Sequence, residues 1–261
     1  MKGRTKSPLK DKPLRNPGQS LEDRKRDLVL DRLLHPLLIA LMFSVFAIME
    51  IVRVMIDSPP LPWFWSATAL AAITWAAYRV RQTQPQLKAL SLAIDGEKAV
   101  GQYLEKLRTD GYEVFHDVCG SNFNLDHVII GPAGIFTIET KLWSKPAKGE
   151  TKIAFDGETL TAAGWQPDRD PVIQARAQAS WLRELLKEST GKKLPVKPVV
   201  LFPGWFIEQA AGTSREVWVL NPKALPEFLK KEPIRLVADD VKLASFHLGR
   251  FVRSRESFPS Q

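Results

Sequence analysis

The sequence predicts an α/β domain with a mixed sheet flanked by helices, preceded by a two-helix transmembrane hairpin. Two uncharged apolar runs between residues 34 and 78 predict the hairpin. Short β-branched runs alternating with helical segments after residue 110 predict the sheet. A turn-bounded strand pair that carries charge on an apolar background predicts where the chemistry lies.

The 261 residues leave room for one or two compact units, at roughly 100–200 residues each. The net charge of +8 is unevenly spread. Residues 1–33 hold 10 Lys/Arg against 5 Asp/Glu, and residues 34–81 hold 3 against 2. That leaves 24 against 22 for residues 82–261, so the basicity belongs to the N-terminal arm and is no argument by itself for nucleic acid. The single cysteine, Cys119, excludes an internal disulfide and suits a reducing compartment. It falls in a strand-like run, where a small buried hydrophobe is expected.

The arm, residues 1–33, is rich in Lys, Arg, Pro, Ser and Gly up to residue 27 and is expected to be disordered and cytoplasmic. The hairpin occupies residues 34–81, with helices over about 34–56 and 60–78. About 20 apolar residues span a bilayer, and aromatic rings such as Trp63, Trp65, Trp75 and Tyr78 collect at its interfaces. Glu50 and Arg53 are spaced to pair on one helix face. The linker Asp57-Ser-Pro-Pro60 turns the chain back. Basic residues flank the hairpin on both sides and the connecting loop is acidic, so both termini are expected in the cytoplasm, with the protein multi-pass in the inner membrane. A buried soluble helix pair is the alternative.

Residues 82–261 form the cytoplasmic domain with a C-terminal extension. A helix is expected from about Leu87 to Arg108, then strands at Tyr112–Val118, Phe123–Ile130 and Gly134–Leu142, and a short hairpin near Ile153–Leu160. Asp170-Pro171 opens a helix, Asp as N-cap and Pro at its first position, running to about Ser189. Strands at Lys197–Phe202 and Val217–Leu220 precede two short helices, the first opened by Asn221-Pro222.

The most informative stretch is Asn124-Leu-Asp126-His-Val-Ile-Ile130, Gly131-Pro-Ala-Gly134, Ile135-Phe-Thr-Ile-Glu139-Thr-Lys141. The Gly/Pro tetrad between β-branched runs predicts a hairpin. If Ile130 faces Ile135, Asp126 lies opposite Glu139 with Cβ atoms about 4.5–5.5 Å apart. Alternation then brings Lys141 to the same face. Two carboxylates at the end of a strand that is apolar on both faces require a cation; an exposed cross-strand charge cluster is the other reading. A hard divalent ion, Mg²⁺ or Mn²⁺, takes one or two carboxylates plus water and substrate phosphate. Lys141 beside it can orient an attacking water or offset charge developing on phosphate. Alternation points His127 away, into packing.

Glu97 shares a helical stripe with Val100, Leu104 and Leu107, which is unusual for a glutamate without a partner, although a helix-end Glu reached by water fits too. Gln174 is in register with Trp181 and Leu185 and faces inward, for a site role or for capping and core hydrogen bonding. The loop holding Trp143, Lys145, Lys148 and Lys152 interleaves basic residues with an aromatic, which suits contact with a nucleic-acid backbone and one stacked base, or a solvated loop.

Taken in order, Gly96-Glu97, Leu125-Asp126-His127, Gly131-Pro-Ala-Gly134, Ile138-Glu139-Thr140-Lys141-x-Trp143 and Pro171-x-x-Gln174 resemble the nuclease-related domain (NERD) family, placed in the PD-(D/E)xK restriction-endonuclease-like superfamily. The resemblance covers roughly Ala93–Leu220. It implies a restriction-endonuclease-like fold, with Asp126 and Glu139 as metal ligands, Lys141 as catalytic lysine, and Glu97 and Gln174 as supporting site residues. Lys145 departs from the glycine frequent there in the family. The leading expectation is a membrane-anchored, metal-dependent nuclease acting on DNA or RNA, with the bilayer and nucleic acid as partners and oligomeric state open. The alternative is a non-catalytic membrane-tethered binding or scaffold protein that keeps the nuclease fold.

Overall fold

The computed structural model describes residues 14–55, 62–120, 123–143, 145, 151–162, 170–210 and 216–255. The chain divides into two compact units, residues 20–94 and the remainder.

In residues 20–94 the first helix starts earlier than the sequence suggests. Helix α1 (Gln19–Val29) continues through a π-helical turn at Leu30–Leu34 into α2 (His35–Met55). The arm expected to be disordered to residue 33 is therefore helical from Gln19, where Glu22/Asp23 and Arg24–Arg26 supply i,i+3 pairing such as Asp23–Arg26 at 3.0 Å. Gln19–Met55 is long and apolar enough to cross a membrane. The second apolar run opens a 44-residue helix, α3 (Pro62–Glu105), so the expected break near residue 79 does not exist. Arg79–Lys88 is rich in Arg, Gln, Leu and Lys, which favour helix, and Pro85 is accommodated within the helix. The predicted turn Asp57–Pro60 lies outside the described residues. Phe43 and Phe46 of α2 meet Trp65 of α3 at ring-centroid distances of 6.3 and 5.1 Å. Glu50 and Arg53 pair at 3.1 Å.

The second unit is built on a five-stranded mixed sheet in the order β1-β2-β3-β6-β8. Its strands are β1 (Glu113–Cys119), β2 (Asn124–Gly131), β3 (Gly134–Thr140), β6 (Val196–Leu201) and β8 (Trp218–Leu220). β1, β2 and β3 form an antiparallel meander; β6 and β8 add in parallel. A second sheet, β5-β4-β7, comprises β4 (Lys152–Phe155), β5 (Leu160–Ala162) and β7 (Phe206–Gln209). Sequence patterning finds every strand but β7, whose Phe206-Ile-Glu-Gln is too exposed and polar to show a buried period.

Alternation along the strands serves two cores. Ile129, Phe136 and Ile138 face one side, with Val100 and Leu104 of α3, and Leu225 and Leu229 of α5 (Leu225–Lys231) at its border. Val128, Ile130 and Ile135 face the other, where Ala179, Leu182 and Leu186 of α4 (Pro171–Thr190) and Ala244, Leu248 and Val252 of α6 (Ala238–Arg255) cover them. The sheet is buried on both faces, which is why its strands lack a simple polar alternation. Asp170 caps α4 as expected, accepting from the Val172 N–H at 2.8 Å, and Gly191 closes the helix in the left-handed conformation at φ 72°. The last helix is long, 18 residues, rather than short.

The register sets the position of the site. Ile130 pairs with Ile135, and Gly131 with Gly134, as the turn chemistry requires. At Gly131 a Cβ would overlap the ring of Tyr112, so the strand and the preceding turn approach too closely for any side chain. Gly131→Ala should therefore destabilise the domain by about 1–3 kcal/mol through overpacking, read as a lowered chemical-denaturation midpoint; an unchanged midpoint would contradict this packing.

Candidate functional site

Asp126 stands one residue beyond the last β2–β3 pair, His127 opposite Ile138, and so faces Glu139 across the two strands. Glu139 is 3% exposed, and both of its carboxylate oxygens are taken. Lys141 Nζ donates to Oε1 at 2.6 Å and Gln174 Nε2 donates to the same atom at 2.8 Å. Gln178 Nε2 donates to Oε2 at 2.6 Å. Lys141 Nζ also donates to Gln174 Oε1 at 3.0 Å, closing a three-membered ring of side chains. Asp126 Oδ2 accepts from the Thr140 N–H at 2.7 Å, and its other oxygen makes no hydrogen bond among the described residues. The strand end is itself tied to β6, the Lys141 N–H donating to Leu201 O at 2.9 Å. The structure thus brings Asp126, Glu139, Lys141 and Gln174 together.

Glu97 joins from α3. A Cβ at its neighbour Gly96 would overlap Leu142, so the glycine lets the helix approach the exit of β3. Glu97 is buried, and its carboxyl is raised from 4.5 to about 7, first by burial and then by the charges of Asp117 and Glu139; the Gly18 N–H and Lys141 act in the opposite direction. Asp126 is pushed well above the usual carboxylate range by burial and by Glu139 and Glu97.

Two contributors carry weaker signals in the sequence. Gln178 follows Gln174 by one helical turn, and that i,i+4 spacing is the signal available for it. It is 2% exposed, and its Oε1 has no partner among the described residues. The other is Asp117 with the N-terminal segment. Arg15 binds Asp117 Oδ2 through Nε at 2.7 Å and Nη2 at 2.6 Å, both side chains being largely buried. Leu14 packs on the core facing α4 and α6, and Pro17 lies against Gly101, where a Cβ would strike its ring. Asp117 is the one non-glycine residue with positive φ, 49°, among the described residues. In the β1–β2 register it falls opposite Asp126, the one position between Glu113 and Cys119 that is not paired. No local pattern in residues 14–18 announces this docking, because Arg15 and Asp117 lie 102 positions apart in sequence.

His127 is turned to the other face, as alternation requires. Its Nδ1 lies 2.9 Å from His116 Nδ1, and His116 Nε2 lies 2.8 Å from Glu105 Oε1. Burial holds both imidazoles below their usual range, so they are neutral packing partners rather than ligands. The basic loop does not assemble into one surface. The Trp143 ring packs on Phe202 at 4.6 Å within the core beneath the second sheet, leaving it poorly placed to stack on a base. Lys152 pairs with Glu208 at 2.6 Å, Lys145 is exposed, and Lys148 lies outside the described residues.

Among the described residues no group of three or more His, Cys, Asp or Glu side chains is set to hold a metal ion. The donors that converge, Asp126 and Glu139, are all oxygen and suit a hard divalent cation that keeps most of its waters. The raised proton affinity of Asp126 and Glu97 and the unpartnered Gln178 oxygen fit a site with a deficit of positive charge.

That deficit has a pH signature. Between pH 4.5 and about 7 folded Glu97 holds a proton that the unfolded chain has released, so its contribution to stability falls as pH rises through that window. Glu97→Gln should match wild type below pH 4.5 and exceed it above pH 7 by on the order of 3 kcal/mol, since each pH step across that window is worth about 1.4 kcal/mol. Denaturation midpoints at about pH 4.5 and about pH 8 measure this, and a difference independent of pH would refute it.

Residues 93–203 match the family model described as the nuclease-related domain. Neither a curated protein nor a solved structure matches the chain. The family description points to nuclease-related chemistry, and hence in general to a nucleic-acid substrate and a divalent metal. The segment that resembles the nuclease-related domain (NERD) family thus contains Glu97, Asp126, Glu139, Lys141 and Gln174.

Proposed function

We propose that this chain is a membrane-anchored nuclease that hydrolyses phosphodiester bonds of DNA or RNA with the help of Mg²⁺ or Mn²⁺. The observation that carries the reading is the closed Glu139–Lys141–Gln174 network beside Asp126, in a domain of the nuclease-related family. Asp126 and Glu139 are the residues that would hold the cation. When bound, the cation supplies positive charge against a phosphate oxygen and favours ionisation of water. The protein's part is orientation. Gln174 and Gln178 fix both oxygens of Glu139, and the Thr140 N–H fixes one oxygen of Asp126, leaving its second oxygen to act as a ligand. Lys141 uses two of its three N–H donors on Glu139 and Gln174. The third is available to a water or a phosphate oxygen, and the partly exposed side chain gives access from solvent. Negative charge building on the phosphate then meets a fixed ammonium at little reorganisation cost. Lys145 is the member of the basic loop best exposed to meet a substrate backbone.

One feature favours the non-catalytic, scaffold reading: Glu139 is already fully satisfied by protein donors, so a cation must share or displace the Lys141 contact. The two readings separate on mutants. Asp126→Ala and Glu139→Ala should each abolish Mg²⁺- or Mn²⁺-dependent cleavage and weaken metal binding. Lys141→Ala should retain metal and lose about 10²–10⁴-fold in rate. Cleavage of single- and double-stranded DNA and RNA by the full chain, with calorimetry for the metal, measures both. A folded wild type that binds no metal and cuts none of the four substrates would leave the scaffold reading.

Membrane anchoring is supported by the inverted burial of residues 20–94. Small residues such as Ala40, Ala47, Ala69 and Ala76 are the buried ones, while Leu37, Leu41, Ile48, Met55, Trp63, Phe64 and Leu70 are exposed. A surface of that kind belongs in lipid, where close approach of helices uses small side chains. The basic flanks favour two spans with both termini in the cytoplasm, in the inner membrane of the cell. Reporters fused before Leu28 and after Arg81 should both report cytoplasmic, and the chain should remain with membranes in carbonate; a translocated reporter would overturn the topology.

A further inference from the structure

At the end of β3 and β6 remote from Glu139 and Lys141, a cavity of about 470 Å³ opens against α4. Ile135, on its wall, is separated from Lys141 by on the order of 20 Å of strand, at about 3.3 Å per residue. One side is a stripe of α4: Arg176, Ser180 and Arg183, on one helix face and all exposed. Lys197 and Arg235 stand across from it.

The charges on the two sides are handled differently. Lys197 and Arg235 share one carboxylate, Glu232, at 3.2 and 3.3 Å, and Lys197 also lies 4.4 Å from the centre of the Trp218 ring. Arg176 and Arg183 make no salt bridge among the described residues. Each donates once to a backbone carbonyl, Arg176 to Gly157 O at 3.4 Å and Arg183 to Val196 O at 3.2 Å. A guanidinium carries five N–H donors, so most of their capacity is unused, and the Ser180 hydroxyl between them makes no hydrogen bond among the described residues. Counting Glu216, four cations and two carboxylates line the cavity, with the excess positive charge on the α4 side. Ala133, Pro195 and Pro198 give the remaining wall an apolar character.

We propose that this cavity is a binding site for a small phosphate monoester, of nucleoside-monophosphate size, with Arg176, Ser180 and Arg183 on the phosphate. Two guanidinium forks flanking a hydroxyl match the three terminal oxygens of a phosphate better than any single-point anion. The volume lies within the range, roughly 300–1,000 Å³, of small-molecule pockets. The apolar wall suits the organic part of the ligand. The site is independent of the nuclease reading, since it shares no side chain with the Asp126/Glu139 cluster.

The test is calorimetry on the full chain in mild detergent, with adenosine monophosphate as probe and adenosine and inorganic phosphate as controls. Adenosine monophosphate should bind measurably and adenosine at least tenfold more weakly. The Arg176→Ala/Arg183→Ala double variant should lose at least tenfold in affinity. Both side chains are exposed, so folding should survive. Ser180→Glu, which sets a carboxylate between the guanidinium groups without removing packing, should weaken binding to a similar degree. No binding by wild type, equal binding of adenosine, or full affinity in both the double variant and Ser180→Glu would each overturn the assignment.

Discussion

Glu139 is a carboxylate set almost wholly inside the protein, and much of the second unit can be understood as the means of keeping it there. Burying an unpaired carboxylate costs several kcal/mol, so its donors are not optional. Lys141, Gln174 and Gln178 supply them, and they depend on different parts of the fold. Lys141 is aimed by β3, two residues on from Glu139 and on the same face. The two glutamines are aimed by α4, which must start at Asp170-Pro171 and lie across β3 for its first two turns to reach the strand end. The α4 cap, the parallel β3–β6 pairing and the Ala179/Leu182/Leu186 packing therefore all bear on one side chain.

Around this centre the charge balance remains incomplete. Asp117 and Glu139 raise the proton affinity of Glu97, and Glu139 and Glu97 raise that of Asp126. Lys141 stands against the cluster from one side and Arg15, through Asp117, from the other. Arg15 belongs to the segment before the first apolar helix, so the part of the chain that precedes that helix helps build the folded unit that follows it. The Arg15–Asp117 pair is largely buried on both sides, and it accompanies the strained backbone at Asp117. A buried ion pair of this kind does more to fix where a segment docks than to add stability, because desolvation offsets much of the attraction. The result is a cluster of carboxylates whose charge Lys141 and Arg15 offset only in part.

Residues 20–94 follow a different physical rule. Many of their large apolar side chains are exposed while Ala40, Ala47, Ala69 and Ala76 are buried, the reverse of the second unit, where Leu104, Phe136 and Leu182 are hidden. Polar side chains there satisfy themselves locally: Ser44, Thr74 and Thr83 hydroxyls donate to carbonyls one turn back, and Glu50 pairs with Arg53. Such local satisfaction is what the lipid environment proposed for this unit would demand.

Local chemistry was sufficient for much of this protein. The Gly131–Gly134 turn dictated the hairpin and its register, and the register carried Asp126 to Glu139 and left His127 on the opposite face. Asp170-Pro171 dictated the start of α4, and helical periodicity sent Gln174 inward. These features repeat with the period of a strand or a helix, or sit at a turn, so they can be read from neighbours in the chain. Features that depend on distant partners leave no such trace. The N-terminal segment has no pattern of its own and is held by Asp117 and Gly101, far along the chain. Trp143 and Lys152 look like parts of a basic loop until Phe202 and Glu208 arrive to claim them. The helix through Pro62–Glu105 runs on where polar composition suggested a boundary, since helix propensity carries no mark of where one unit ends and another begins. Periodicity determined the secondary structure and the catalytic-looking face; only tertiary contact, which brings remote charges and rings together, decided which polar side chains share that site and which are spent on packing.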